Sequence, residues 1–215
     1  MEIMTSIHSD LLAIKQHLLN KAENTRILVA IAGPPGVGKS TFASTLKQQL
    51  NNQLSGCCAI LPMDGFHYDD TYLDQKNWRS RKGAPHTFDV GGLRHMLARL
   101  TTNEEDNIAI PVFDRDIEIS RAAADEISSS VRIILVEGNY LLLDKQPWSG
   151  LAKYFDISIM LRASIEVIEK RLRQRWTGFD YTLEQIAEKM NANDVPNVKT
   201  VLDLSIKADF EIPTD

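Results

Sequence analysis

Hydrophobic positions recur along this chain with two periods, and the switches between them mark out its elements. Ile3, Ile7, Leu11, Ile14 and Leu18 fall at helical spacing, with Leu12 and Leu19 widening the stripe, which predicts an amphipathic helix over 3–22. Arg26-Ile-Leu-Val-Ala-Ile-Ala32 is a short apolar run and reads as a strand. Phe42, Leu46 and Leu50 recur every four residues and predict a helix over 40–51. A second strand is read over Cys57–Met63. Residues 64–89 show little periodicity and form a long loop, which is usually functional when it is ordered. Asp89 then caps a helix carrying Leu93, Met96, Leu97 and Leu100.

The second half repeats the alternation. Residues 103–107 are a polar turn. Ile108–Phe113 is strand-like, and Pro111 argues for an edge position. With the polar segment that follows, to about Ser130, it makes a hairpin standing off the main sheet. Val131–Val136 and Phe155–Leu161 have the composition of buried parallel strands. Ile165, Ile168, Leu172 and Trp176 stripe the next helix. Thr182 and Gln185 form a capping box for a helix over 183–192. Leu202-Asp-Leu-Ser-Ile-Lys207 alternates and reads as the last strand. Strands alternating with helices give an α/β fold, a mainly parallel sheet of about five strands with helices on both faces in a three-layer α/β/α arrangement.

Composition changes this picture little. The 215 residues, 43% hydrophobic and 25% charged, fit one ordinary globular domain. A net charge of −5 argues against nucleic acid as the main partner. No apolar run approaches the ~20 residues that span a membrane. The acidic, weakly apolar start does not read as a signal peptide. Cys57 and Cys58 are adjacent and lack metal-ligand spacing, which fits a reducing cytoplasm.

The chemistry starts at Gly33-Pro34-Pro35-Gly36-Val37-Gly38-Lys39-Ser40-Thr41, a fit to G-x-x-x-x-G-K-[ST] between a strand and a helix. The glycines let consecutive N–H groups point at an anion, and the following helix adds its positive end. Lys39 supplies a mobile cation for the β- and γ-phosphates, and the Ser40 hydroxyl is placed for Mg²⁺. A nucleoside triphosphate and Mg²⁺ are the ligands this loop implies. Gly33, Asp64, Glu137 and Arg162 each follow the carboxyl end of a strand, and in an open parallel sheet those ends share one edge. Glu137 is positioned to reach the metal, or else caps a turn. Asp64 is positioned to take a proton from an acceptor hydroxyl, or else begins an Asp-Gly turn. Arg171 and Arg175 lie one turn apart and form either a lid that neutralises transferred phosphate or a solvated basic face. His67, Tyr68, Arg79, Arg81, His86 and Asp89 are candidates to line the acceptor pocket.

Taken together, Gly33–Thr41, Asp64-Gly-Phe-His67, Arg81-Lys-Gly-Ala-Pro85-His-Thr-Phe-Asp89, Pro111-Val-Phe-Asp114, Val136-Glu-Gly138 and the Arg171/Arg175 segment resemble the phosphoribulokinase, uridine kinase and bacterial pantothenate kinase superfamily of P-loop kinases. The ordered set covers nearly the whole chain and looks most like its compact bacterial nucleoside- or fructose-transport-associated branch. The resemblance implies one kinase domain over 1–215. It has a lid at about 163–181 and acceptor-site insertions at about 64–89 and 108–128. It implies Asp64 as the base, Glu137 at Mg²⁺, Asp89, Phe113 and Asp114 at the acceptor, and Arg171 and Arg175 in the lid. Phe113 stands where uridine kinases carry Tyr. Arg162 is grouped with the acceptor residues. The expected activity is transfer of the γ-phosphate of MgATP to a hydroxyl of a sugar, a pantothenate-like acid or a nucleoside, with a homodimer left open. The alternative is a partner-binding switch NTPase. Its guanine-reading N-K-x-D is missing, since the only Asn-Lys pair, Asn20-Lys21, precedes the phosphate loop.

Overall fold

The computed structural model describes residues 2–215, with side chains described from Leu11 onward. Five strands form one sheet: β1 (Ile27–Ala32), β2 (Cys58–Pro62), β5 (Ile133–Gly138), β6 (Ile157–Arg162) and β7 (Phe210–Pro213). Their order is β2-β5-β1-β6-β7, and every pair is parallel. The remaining strands, β3 (Asn107–Asp114) and β4 (Ile119–Ser128), pair only with each other as an antiparallel hairpin. Their register shifts between Ile110 and Val112, at Pro111, which cannot donate to the ladder.

The side-chain alternation of β1 divides the core. Leu28, Ala30 and Ala32 face one layer with Leu93, Leu97 and Leu100 of helix α4 (Val90–Thr102) and with Ile108, Ile110 and Ile127 of the hairpin. Ile27, Val29 and Ile31 face the other layer. There they meet Leu11, Ile14 and Leu18 of helix α1 (Glu2–Lys21) and Phe42, Leu46 and Leu50 of helix α2 (Lys39–Gln53). Both faces are therefore covered, as parallel sheets require. Ile3 and Ile7 of the opening stripe lie outside the described side chains. Cys57 and Cys58 are free and buried, and burial pushes the Cys58 thiol up to about 12.

A third cluster joins helices α5 (Ile165–Thr177), α6 (Leu183–Lys189) and α7 (Val195–Leu204) through Ile168, Leu172, Ile186, Met190 and Val198. Asp69 caps the short α3 (Asp70–Gln75), which together with 3₁₀ turns orders the 64–89 segment. Among the described residues, no helix is long and apolar enough to cross a membrane.

The carboxyl-terminal third departs from the sequence reading. The alternating run 202–207 is no strand: Leu204 ends α7, and Leu204 and Ile206 are both exposed. Asn197, Val198 and Val201, at helical spacing, are the buried positions, and they override the alternation. The last strand is β7, four residues long and too short to carry a period of its own. The helix read over 183–192 stops at Lys189 and passes through a wide π turn, Met190–Asp194, into α7. Ile165 is 42% exposed, so the buried stripe of α5 begins at Ile168.

Candidate active site

The site is built at the carboxyl ends of β1, β2 and β5. β1 delivers the chain into the loop 33–38, and Lys39 opens α2. Lys39 is only 7% exposed, and its Nζ donates to the Pro34 carbonyl at 3.1 Å, closing the loop on its own cation. Gly36 has φ 80, and a Cβ there would meet Leu172 Cγ at 2.9 Å, so the loop packs against α5 where a side chain has no room. The Thr214 hydroxyl donates to the Val37 carbonyl at 3.0 Å.

Asp64 lies in the 3₁₀ turn Met63–Phe66 directly after β2. Its backbone carbonyl accepts from the His67 amide and, at 2.8 Å, from His67 Nδ1. A carbonyl only accepts, so Nδ1 carries the proton and Nε2 is left as an acceptor. Burial holds the His67 ring below the usual histidine range despite the nearby Asp64 charge. His67 is tilted against Phe88 and Phe113, with ring centroids 4.0 and 4.7 Å away. Ser120 Oγ donates to the Gly65 carbonyl, which fastens the hairpin onto this turn.

Glu137 is the penultimate residue of β5, in register with Ile31 of β1 and Pro62 of β2. It therefore stands between the phosphate loop and Asp64. Burial pushes its carboxyl upward, while the Lys39 charge and a hydrogen bond from Ser40 pull it back. Burial likewise depresses Lys39, against the pull of Glu137 and Asp64. Lys39 and Glu137 are thus two desolvated opposite charges close enough to feel each other, an arrangement matched to a ligand that satisfies both.

Two adjoining clefts meet at Asp64. One, of about 170 Å³, is lined among others by Ser40, Ser44, Asp64, Phe113, Arg115 and Glu137. The other, of about 130 Å³, is lined among others by Pro35, Asp64, His67, Lys82, Arg115 and Arg175. The first gathers two serine hydroxyls and two carboxylates, the hard oxygen donors that Mg²⁺ prefers. Among the described residues, no cluster of three or more His, Cys, Asp and Glu forms a metal cage. The donor set fits a cation that takes its remaining ligands from phosphate and water.

The structure thus brings together Lys39, Ser40, Asp64, His67, Phe113, Glu137 and Arg175. Other candidates are engaged elsewhere. Arg162, expected among the acceptor residues, forms a two-point pair with Glu211 of β7, at 3.0 Å each, and lines neither cleft. Arg171 also parts from Arg175, because it donates to the Thr214 carbonyl at 2.6 Å. Arg81 spans to Asn193 and Asn197. Arg79 pairs with Asp70 at 2.7 Å, and Tyr68 packs on Tyr72. His86 packs on Trp78, Asp89 caps α4 through the Gly92 amide, and Asp114 pairs with Arg121 at 3.0 Å. None of these candidates lines either cleft.

Sequence reasoning missed Arg115 and Lys82. Arg115 Nη2 donates to Asp64 Oδ2 at 2.8 Å. Lys82 Nζ donates to Asp70 Oδ1 at 2.7 Å and to the Glu118 carbonyl at 2.6 Å, and sits 5.2 Å from the centre of the Phe113 ring. Lys82 lies inside the quoted motif 81–89 and Arg115 directly follows the quoted Asp114, and a cation at a loop end or a hairpin turn is the available signal.

Comparison with known proteins agrees with this geometry. The chain is 36% identical over 204 residues to the uncharacterised Escherichia coli K12 protein YggC, covering 94% of this chain and 83% of that protein. It is 37% identical over 186 residues to a Schizosaccharomyces pombe protein named provisionally as a uridine kinase, covering 82% and 78%. A crystal structure from Silicibacter sp. TM1040, described provisionally as a fructose transport system kinase, superposes with a TM-score of 0.86 at 33% identity over 94% of this chain and 98% of that one. The model of the Phosphoribulokinase / Uridine kinase family matches residues 28–213, and the chain belongs to that family of P-loop kinases.

Proposed function

We propose that this phosphotransferase moves the γ-phosphate of ATP, with Mg²⁺, to an alcohol hydroxyl of a small metabolite: a sugar, a pantothenate-like acid or a nucleoside. The observation that carries this reading is the position of Asp64 on both clefts. It faces Ser40 and Glu137 on one side and His67, Lys82 and Arg175 on the other.

In this reading the triphosphate lies along the loop 33–38. Asp64 accepts the hydrogen of the acceptor hydroxyl and aims the oxygen at the γ-phosphorus; the bond to the ADP oxygen breaks as the new one forms. Lys39 and Arg175 neutralise the charge that develops on the moving group. When bound, Mg²⁺ supplies charge neutralisation across the phosphates, held through Ser40 and Glu137. The two ligands meet in fixed positions, so most of the rate gain is orientation. The names of the relatives differ, a uridine kinase and a fructose transport system kinase among them, and the acceptor cleft carries both charge signs.

The test is a coupled ADP-release screen over sugars, glycerate, pantothenate and nucleosides, with Asp64→Asn as the blank. Release that rises with one acceptor class and vanishes in the blank is expected. Equal release with every acceptor and with none would instead favour a switch-type NTPase.

A further inference from the structure

The pairing of Asp64 with Arg115 has a consequence for the order of events. Arg115 begins the turn between β3 and β4 and lines both clefts, as well as an outer groove of about 800 Å³. The turn is held at two points: Lys82 donates to the Glu118 carbonyl, and Ser120 donates to the Gly65 carbonyl. The backbone of Arg115 is thereby fixed near Asp64, and its long side chain is the part free to swing. The pair is half-open to solvent, with side chains 47% and 27% exposed.

A carboxylate beside a bound triphosphate orients water as readily as it orients an alcohol. A kinase with an open cleft must therefore keep its base occupied until the acceptor arrives. We propose that Arg115 is a positioning residue that covers the Asp64 carboxylate in the acceptor-free enzyme and yields it to the incoming hydroxyl, so that the nucleotide is not spent on water. This rests on the assignment of Asp64 made above.

Magnitude favours the exchange. Exposed ion pairs are weak, worth at most a factor of about five. An arriving acceptor that makes a few contacts of its own reverses such a preference. The same weakness limits the effect of removing the cover. If Asp64 is open about one-sixth of the time, full opening raises its engagement with water by at most about sixfold.

The experiment measures ADP release from MgATP with no acceptor, in wild type, Arg115→Ala, Arg115→Lys, Asp64→Asn and the double variant Arg115→Ala/Asp64→Asn. Arg115→Ala should raise release about two- to sixfold. Arg115→Lys should return part of the suppression, because Lys restores the charge without the planar fork. The double variant should lose the rise. In parallel, carbodiimide-driven amidation of Asp64 in the ligand-free protein, referenced to Asp209 by mass spectrometry, should increase in Arg115→Ala by a similar factor. Where release is too slow to read, the labelling ratio decides alone. Unchanged release with unchanged labelling overturns the proposal, as does a rise that survives Asp64→Asn. The base assignment fails separately, if Asp64→Asn transfers phosphate to an identified acceptor at the wild-type rate.

Discussion

Trp176 Nε1 donates to Asp194 Oδ2 at 2.6 Å, joining the end of α5 to the wide turn before α7. Asp194 is 6% exposed; burial pushes its carboxyl upward, and the indole hydrogen bond draws it back. The same indole carries Arg175 at 5.2 Å and Lys189 at 4.3 Å from its ring. One side chain therefore satisfies a buried acceptor and supports a cation at the acceptor cleft. Trp176→Phe leaves Asp194 without that donor, at a cost of about 1–3 kcal/mol. The thermal midpoint should fall by about 2–10 °C. In Trp176→Phe/Asp194→Asn the two losses should fall short of additive, because the second change removes the stranded charge.

Gly138 and Met63 fix the spacing between the two acidic residues of the site. Gly138 follows Glu137, Met63 precedes Asp64, and a Cβ built on Gly138 would collide with the Met63 side chain. Gly138→Ala must therefore push the Met63–Phe66 turn away from β5. About 1 Å of displacement is enough to cost on the order of 10²-fold in rate. The expected result is a large fall in kcat with the far-ultraviolet circular dichroism spectrum retained. Adding Met63→Gly, which also removes the Cβ that the new methyl meets first, should recover part of the rate by opening the space.

His67 makes stability depend on pH in a definite direction. Its folded-state pKa lies below the ordinary 6.5 because burial disfavours the charged ring. The unfolded chain then binds a proton first as pH falls. The stabilising preference for the neutral ring is complete above about 6.5 and is lost as pH drops through the lower folded value. Wild type should lose more of its thermal midpoint than His67→Phe between pH 7 and pH 5. His86, also depressed, remains in both proteins and cancels from the difference. Parallel curves would show that His67 binds its proton equally well in the folded and unfolded chain, which would overturn the depressed folded value.

The legible parts of this molecule are those fixed by local spacing. The phosphate loop lies between a buried strand and a helix, and Glu137 and the turn bearing Asp64 each follow an apolar run, so the sheet-edge argument places them without coordinates. Arg115 was hidden because its partner is 51 positions away, and only the folding of the hairpin over the end of β2 brings the two together. The pairing of Arg162 is hidden for a related reason. Its partner Glu211 sits on β7, and the sequence reading had put the last strand at 202–207. The position of β7 is set by its neighbour β6 and by the burial of Ile212, neither of which leaves a periodic trace.

Arg171 and Arg175 look equivalent in sequence, one helical turn apart, yet the structure gives them different jobs to test. Arg175 lines the cleft with Asp64, and its charge is felt at Lys39. Arg171 donates to the Thr214 carbonyl, and the Thr214 hydroxyl in turn donates to the Val37 carbonyl, so Arg171 reaches the phosphate loop through the chain's penultimate residue. An interaction made only in the transition state lowers kcat and leaves ground-state binding alone, whereas a support of the loop changes affinity for the nucleotide. Arg175→Ala should therefore reduce kcat by about 10²-fold with little change in ATP affinity. Arg171→Ala should weaken ATP binding by roughly tenfold, the equivalent of one lost hydrogen bond to a charged group, while kcat at saturation changes less. Thr214→Val, which removes the bond to Val37, should resemble Arg171→Ala, and combining the two should add little. Titration of ATP by calorimetry and steady-state turnover, measured on the same preparations, separate the two roles. Equal losses of affinity and turnover in Arg175→Ala would move that residue into ground-state nucleotide binding.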